Sequence, residues 1–435
     1  MSSVKTILLK NICNFEKGST GLMKAVPGEY PLVTTGKCNR TCESYQFDTK
    51  AVCIPLVSST GHGHASLNNV HYQEGKFALG TILVAITAKD EEELDVHFLH
   101  LYLSQLKDIV LVPLMKGAAN VSLSIRAIKE VGIPLPAIER QRQIVSKFKS
   151  IELEERELLD ELYYQQELMT KFWQQSLQET VTGQLTAKWR KEIGELDVAG
   201  KVLDDINVIK EKLIKKNEIK KQKELLPIKS DDIPYNLPSS WQWCRLGELF
   251  NFIDYRGKTP VKSSEGIRLI TAKNIRMGYI NEKPIEYIAE KLYRDWMVRG
   301  FPKKGDLLFV TEGHTMGFIA LNELSFKFAL AQRTINLQPF CQNYSKWVFY
   351  FIMSPYFQKV IKDNATGAAA TGLKSATLKN LLIPMPSLSE QKIILEKLDE
   401  ITSICERINR QITLNQSHAQ SLMTAVLMDE FSQIN

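Results

Sequence analysis

Cysteines, histidines and one glycine-lysine-threonine triplet are the places where this chain could hold reactive chemistry, and their spacing decides against most of it. Gly257-Lys258-Thr259 lacks the glycine five residues earlier that a phosphate-cradling P-loop needs, because Phe252 stands there. No Gly-x-Gly-x-x-Gly nucleotide fingerprint occurs, and no Asn-Pro-Pro-aromatic motif for holding a flipped base. Cys38 and Cys42, with Cys53, His62 and His64 further on, come nearest to a zinc set. Their spacing is loose and has no counterpart later in the chain, so they read as ordinary loop and core residues, with no metal. The run Ser58-Ser59-Thr60-Gly61-His62-Gly63-His64 is polar and glycine-rich. It suits contact with phosphates or base edges better than nucleophilic catalysis, whose orienting acid has no candidate.

With catalysis set aside, the elements that would position a binding surface come forward, and one of them occurs twice. Ile133-Pro134-Leu135-Pro136 ends a short apolar run, and a helical segment opens near Glu139-Arg140-Gln141. Ile383-Pro384-Met385-Pro386 does the same ahead of Glu390-Gln391, 250 residues later. From 117 to 151, 12 of 35 positions are identical at that one offset, through glycines, prolines and a glutamine. Chance apolar matches would not hold such a register, so the chain is a tandem duplication.

From Gln141 to about Thr180 there is neither glycine nor proline. Ile144, Ile151, Leu158, Gln165 and Phe172 recur every seven residues, with Phe148, Leu162 and Met169 on the neighbouring stripe. This predicts a heptad seam on a helix of about 60 Å, at ~1.5 Å per residue. The second copy supplies an equivalent seam in Ile394, Ile401, Ile408, Asn415 and Leu422, flanked by Leu398, Ile412 and Val426. Gln165 and Asn415 put an amide at the same position in both copies. Either the pair fixes register inside the seam, or both residues face solvent.

The globular parts repeat more loosely. Leu32-Val33-Thr34-Thr35, Ala51 to Val57 and Gly80 to Ile86 read as strands, and Val96 to Leu103 as a helix. At an offset of 237, Leu9, Ile12, Phe15, Leu32, Val33 and Thr34 match Leu246, Leu249, Phe252, Leu269, Ile270 and Thr271. Gly80-Thr81-Ile82-Leu83-Val84 resembles Gly305-Asp306-Leu307-Leu308-Phe309. The lysine-rich run from Lys210 to Lys223 reads as a nucleic-acid-binding arm or, with glutamates mixed in and apolar residues recurring, as a solvated helix or linker.

The expected fold is α+β (mixed α/β), with two globular domains in tandem pseudo-two-fold repeat separated by two long antiparallel coiled-coil helices. The boundaries read as 1–138, first domain; 139–185, first helix; 186–238, charged linker; 239–386, second domain; and 387–435, second helix. An apolar fraction of 44% with 24% charged residues suits a core-forming chain, and a net charge of +6 permits a polyanionic partner without demanding one. No run approaches the ~18 apolar residues of a membrane span. The first ten residues lack a signal-peptide core, and seven cysteines without framework spacing fit a reduced cytoplasm.

The order of these pieces resembles the specificity subunits of type I restriction-modification systems (the HsdS family). The residues that carry the likeness are Ile133-Pro134-Leu135-Pro136 through Gln141, Gly183-Gln184-Leu185-Thr186 with Lys188-Trp189-Arg190, and Leu237-Pro238-Ser239-Ser240-Trp241. They continue with Arg245-Leu246-Gly247-Glu248, Gly257-Lys258-Thr259-Pro260, and Ile383-Pro384-Met385-Pro386 with Glu390-Gln391. The first copy departs from the pattern: Leu8-Leu9-Lys10-Asn11-Ile12 stands where a Trp-x-Trp-x-x-Leu-Gly opening is expected. The resemblance implies two target-recognition domains that read the halves of a bipartite double-stranded DNA site. It also implies spacer helices that hold two methyltransferase subunits, with restriction/translocase subunits joining them. S-adenosylmethionine, ATP and Mg2+ would then belong to those partners, with no cofactor and no catalytic residue in this chain.

Candidate DNA contacts are polar or basic residues in expected loops. They are Lys24, Thr34, Lys37, Arg40, His62 and His64 in the first domain, and Arg256, Lys258, Thr271, Lys273, Asn274, Arg276, His314 and Arg333 in the second. Arginine and lysine bond guanine edges or phosphates, and asparagine pairs with adenine. Two other classes stay open: a coiled-coil adaptor whose globular domains bind protein or RNA, and a self-contained methyltransferase, which the missing motifs disfavour.

Overall fold

A computed structural model describes residues 5–37, 40–60, 63–118, 120–194, 198–255, 259–367 and 371–434. The chain divides into two compact units, residues 1–165 with 411–435, and residues 166–410.

In the first unit a four-stranded antiparallel sheet runs in the order Cys13–Lys17, Leu83–Ala88, Ala51–Pro55, His71–Gln73. Ala51–Pro55 is buried at every residue, which accounts for its unbroken apolar run. In a second sheet Tyr30–Val33 pairs in parallel with Lys76–Leu79. The helix Val96–Gln105 starts where the Asp95 carboxylate accepts from the His97 and Phe98 N–H groups. The Ile-Pro-x-Pro run supplies a short strand, Gly132–Pro134, antiparallel to Thr6–Leu8. The two-stranded pairing leaves each strand an outer edge, where proline's missing N–H breaks no ladder.

The second unit repeats this plan. Phe250–Asp254, Thr334–Pro339, Leu307–Val310 and Ile319–Leu321 form the antiparallel sheet, Ile267–Ile270 runs parallel to Phe328–Leu330, and Gln242–Arg245 pairs with Leu382–Met385. Thr6–Leu8 and the turn of helix Leu9–Ile12 have the same form as Gln242–Arg245 and Leu246–Leu249. The departure at Leu8-Leu9-Lys10-Asn11-Ile12 therefore leaves the opening strand intact. One expected correspondence is wrong. Ladder pairing matches Leu83–Ala88 with Thr334–Pro339, not with the strand after Gly305, whose counterpart is Ala51–Pro55.

The stretch from 186 to 238 is less of a linker than its charge suggests. Its helix Ala199–Lys215 buries Ala199, Val202 and Ile206 in the main core of the second unit, beside Trp241 and Trp347.

The long helices are Ile138–Val181 and Leu388–Ile434. In the first unit, Ile144 near the start of one and Phe431 near the end of the other enter the same core, Phe431 packing edge-on to Tyr102 at 5.0 Å. In the second unit the roles reverse, with Ile394 and Leu398 joined by Leu177 and Val181. Start meets end in both units, so the segments run antiparallel.

The heptad seam needs correcting. Ile144 and Ile394 are buried and Ile151 and Ile401 half-buried, but Leu158, Gln165, Phe172, Ile408 and Leu422 are exposed, and Asn415 is half-buried. The buried stripe is the neighbouring one: Leu398, Cys405, Ile412 and Ala419 are buried, and in the first copy Leu162 and Ser176 are buried with Phe148 and Met169 half-buried. These positions recur every seven residues, the spacing of a coiled-coil seam. The Gln165 amide donates to Glu161 of its own helix at 3.0 Å, the solvent-facing alternative. Asn415 accepts from Gln411 at 2.9 Å.

Candidate nucleic-acid interface

Each domain presents a turn at the end of its parallel strand. Thr34 follows Tyr30–Val33, and its Oγ1 accepts from the Gly36 N–H at 3.3 Å. Thr271 follows Ile267–Ile270, and its Oγ1 accepts from the Lys273 N–H at 3.1 Å. The same local geometry thus appears at equivalent strand ends. In the first domain the Asn69 amide donates to the Thr35 carbonyl at 2.9 Å. That bond ties the loop carrying His64 to the Thr34 turn. The Ser58 hydroxyl holds the His64 carbonyl at 2.6 Å, leaving the imidazole exposed. Lys24, Lys37 and Arg40 are exposed, Arg40 on a strand that pairs with Tyr30–Val33. Thr34 itself is buried and backs the turn instead of projecting from it. His71 faces it from behind: burial pulls this imidazole below its ordinary pKa, partly offset by a hydrogen bond to the Thr34 backbone.

In the second domain Thr271, Lys273 and Arg333 line one cleft of about 200 Å³, together with Lys262 and Glu286. Lys262 and Glu286 pair across it at 2.7 Å. Arg333 is exposed and adopts φ 70, a conformation that non-glycine residues rarely take. Its carbonyl accepts from the Thr311 N–H at 2.9 Å, and its guanidinium lies 3.9 Å from the Glu312 carboxylate. His314 is exposed on the turn that follows. Arg276 is half-buried and donates to the Ile275 carbonyl at 3.2 Å.

Asn274 does not serve as a base reader here. It is 1% exposed, its Oδ1 accepts from Thr271, and its Nδ2 donates to the Asn281 and Pro284 carbonyls at 3.0 Å each. The side chain is consumed in shaping the 271–284 turn. His62, Arg256 and Lys258 lie outside the described residues, as does Cys38 of the cysteine-histidine set. Cys42 and Cys53 are buried in different sheets, and burial pushes the Cys53 thiol up to about 12.

The residues whose roles the sequence did not disclose join domains to helices. Gln141 is fully buried: Oε1 accepts from the Asp95 N–H at 2.9 Å, and Nε2 donates to the Glu93 and Pro136 carbonyls at 2.9 and 2.8 Å. Gln391 repeats the bond to Pro386 at 2.9 Å. Glu390 is fully buried and accepts from Thr186 at 2.6 Å, Trp241 Nε1 at 2.7 Å, Ser240 at 3.3 Å and the Arg190 guanidinium. Gly183, at φ 76, lets Arg190 reach its carbonyl at 2.6 Å, and a Cβ there would lie 2.7 Å from Pro238. The Gly-Gln-Leu-Thr, Lys-Trp-Arg, Leu-Pro-x-x-Trp and Glu-Gln pieces, scattered over 200 residues, converge on this one carboxylate. In the first unit Glu430 receives Arg140 at 2.8 Å and also Lys147.

A family model described as the type I restriction modification DNA specificity domain matches residues 1–163 and 238–415. The chain is 26% identical over 325 residues to the type I restriction enzyme EcoAI specificity subunit of Escherichia coli, covering 63% of this chain and 54% of that protein. It thus spans about half the length of that relative. It is 22% identical over 340 residues to the MjaVIII specificity subunit of Methanocaldococcus jannaschii, covering 76% and 69%. Among solved structures it superposes, with a TM-score of 0.62 and 17% identity, on a chain from work on complex assembly and conformational transition of the type I R-M system, covering 98% and 97%. The HsdS subunit from Thermoanaerobacter tengcongensis follows at a TM-score of 0.51 and 15% identity, covering 98% and 96%. Among the described residues no helix is long and apolar enough to cross a membrane.

Proposed function

The chain belongs to the type I restriction-modification DNA specificity family, and from that premise we propose that it is the sequence-reading subunit of such a complex. Each globular domain reads one half of a bipartite duplex site, and the helices set the spacer between the half-sites. The observation that carries this reading is the duplication with unequal loops. Both domains keep one ladder plan and one glutamine lock, while the connection after the parallel strand differs. From Val33 to Ala51 it holds the strand pieces Arg40–Cys42 and Phe47–Asp48, whereas from Ile270 to Leu307 it is longer and holds Ile275–Arg276, Tyr279–Ile280, Tyr287–Ile288 and the short helix Tyr293–Trp296. Constant scaffolds with divergent loops suit two readers of different bases.

Methyl transfer and cleavage belong to partner subunits, which bring S-adenosylmethionine, ATP and Mg2+; this chain contributes no catalytic residue. A docking role for the helices is supported by apolar side chains left exposed at matching positions. Leu158 and Ile408, Tyr164 and Leu414, and Phe172 and Leu422 are each 250 residues apart and each exposed. Such a repeat fits two equivalent methyltransferase subunits better than one.

Selection from a randomised duplex library with the assembled complex tests the reading. It should enrich a split motif with a fixed gap. Inserting a heptad into one long helix should change the preferred gap and leave the half-site bases alone. An adaptor for protein or RNA would enrich no split motif, and an insertion that altered the bases read would overturn the spacer model.

A further inference from the structure

We propose that the cleft between the 217–223 segment and the Tyr293–Phe301 wall of the second unit holds the phosphate backbone of duplex DNA, outside the base-reading turns. The inference rests on the DNA-reading function proposed above and adds a sequence-independent contact to it.

The cleft measures about 1260 Å³, more than the roughly 300–1,000 Å³ of small-molecule pockets, which are also mostly apolar. Its lining is cationic. Lys220, Lys221 and Lys223 come from one side, Arg294 and Arg299 from the other, and the carboxylates on the lining are Glu218 and Asp254. The three lysines and Arg294 are exposed, with no carboxylate partner among the described residues. Lys379 also lines the cleft, its ammonium 5.1 Å above the Phe252 ring. Both walls are tied down. The Gln222 amide donates to the Phe250 carbonyl at 3.5 Å. The Tyr255 hydroxyl donates to the Gly300 carbonyl at 2.7 Å and accepts from the Arg299 N–H at 3.1 Å. Arg299 also donates to the Asp254 carbonyl. A channel with four exposed, unpaired cations on its walls, larger than small-molecule pockets, matches a regularly charged chain. The lysine-rich run thus splits into two jobs: its helical part packs on the core, and its end lines the channel.

Each phosphate contact contributes about 0.9 to the slope of log affinity against log salt. Changing Lys220, Lys221 and Lys223 together to glutamine in the full chain, assembled with its methyltransferase subunits, should reduce that slope by about 2.7. Binding to target and non-target duplexes should weaken alike. A control triple with the same charge change, at the exposed Lys188, Lys191 and Lys201, should leave the slope in place, and arginines at 220, 221 and 223 should restore it. An unchanged slope in the cleft variant, or an equal change in the control, overturns the proposal. So does weakened subunit assembly with an unchanged slope, which would assign the cleft to an acidic protein partner. Loss of the split motif in the unmodified complex would instead overturn the DNA-reading function itself.

Discussion

Replacing Glu390 with alanine removes both acceptor oxygens that four side-chain donors share. The carboxylate is fully buried and receives the Thr186 and Ser240 hydroxyls, the Trp241 indole N–H and the Arg190 guanidinium. At about 1–3 kcal/mol for each buried donor left unpaired, a simple sum would overshoot. Ser240 sits at the long distance of 3.3 Å, and Arg190 keeps the Gly183 carbonyl and the Thr186 hydroxyl. The cost expected is that of breaking a buried ion pair from one side, about 3–5 kcal/mol. Glutamine at 390 retains an acceptor for Trp241 but no charge opposite Arg190, so its cost should fall between alanine and wild type. Tryptophan fluorescence during urea unfolding is a selective probe, because all six tryptophans, 173, 189, 241, 243, 296 and 347, lie in the second unit. The midpoint should fall with little change in the slope of the transition. In a double-mutant cycle with Arg190→Ala the two losses should not add, coupling by at least about 1 kcal/mol. A cost below about 1 kcal/mol for Glu390→Ala, or strict additivity, would refute the claim that this carboxylate joins the end of one long helix to the start of the other.

Three further outcomes are expected. Gln141→Ala should destabilise the first unit by about 2–3 kcal/mol, since it strands the Asp95 N–H and two carbonyls. Gln391→Ala should cost the second unit less, because Gln391 Oε1 has no partner among the described residues; hydrogen exchange resolved by unit would show equal losses if this is wrong. Asp306 is fully buried, and burial lifts its carboxyl to about 6, against opposing hydrogen bonds from Asn336, the Lys303 backbone and Gln338. With a folded pKa above the unfolded one, its contribution is fully present below about pH 4 and is lost as pH rises through about 6, some 2–3 kcal/mol in all. The stability gap between Asp306→Asn and wild type should shift by that amount in favour of asparagine between pH 4 and 7, and a constant gap refutes the burial argument. Arg333→Gly removes a side chain from a backbone conformation that suits glycine. Stability should stay within about 1 kcal/mol while discrimination at one half-site falls roughly tenfold; unchanged library enrichment would make Arg333 structural.

Glycines, prolines and the repeated glutamine showed where each domain stops and its helix begins, because a backbone break or a buried amide tolerates few substitutes. The matched strand ends at Thr34 and Thr271 were legible for a similar reason, a short register kept beside a turn. Apolar runs were less informative. Gly80 to Val84 and Gly305 to Phe309 look alike because both feed inner, largely buried strands of equivalent sheets, and only ladder pairing tells one inner strand from the other. Asn274 shows the limit for site residues. A polar side chain in a loop can close its own turn as readily as meet a partner, and sequence spacing does not separate the two. The Glu390 knot was quoted piece by piece in the motifs, but which donor meets which acceptor depends on contacts spanning up to 204 residues.

The long helices show why a correct period count led to a wrong face. The seven-residue period holds, but on the neighbouring stripe: in the second copy Leu398, Cys405, Ile412 and Ala419 are all buried. The expected stripe, from Ile144 to Phe172, passes from core to solvent. The burial agrees: Ile144 is buried, Ile151 half-buried, Leu158 45% exposed and Phe172 48% exposed. In the first copy the neighbouring stripe has Leu162 and Ser176 buried and Phe148 and Met169 half-buried, as a coiled-coil seam requires. Most positions of the stripe expected as the seam are then apolar without being internal. Their exposure repeats across the duplication, at Leu158 and Ile408 and at Phe172 and Leu422. A pattern that the fold of this chain alone does not require, present in both copies, is what a surface kept for two like partners would produce. Aspartate at Phe172 or at Leu422 should therefore leave urea stability within about 0.5 kcal/mol, as for exposed sites generally, and reduce methyltransferase occupancy measured by native mass spectrometry. Full occupancy in both variants would return the stripe to the status of unused surface.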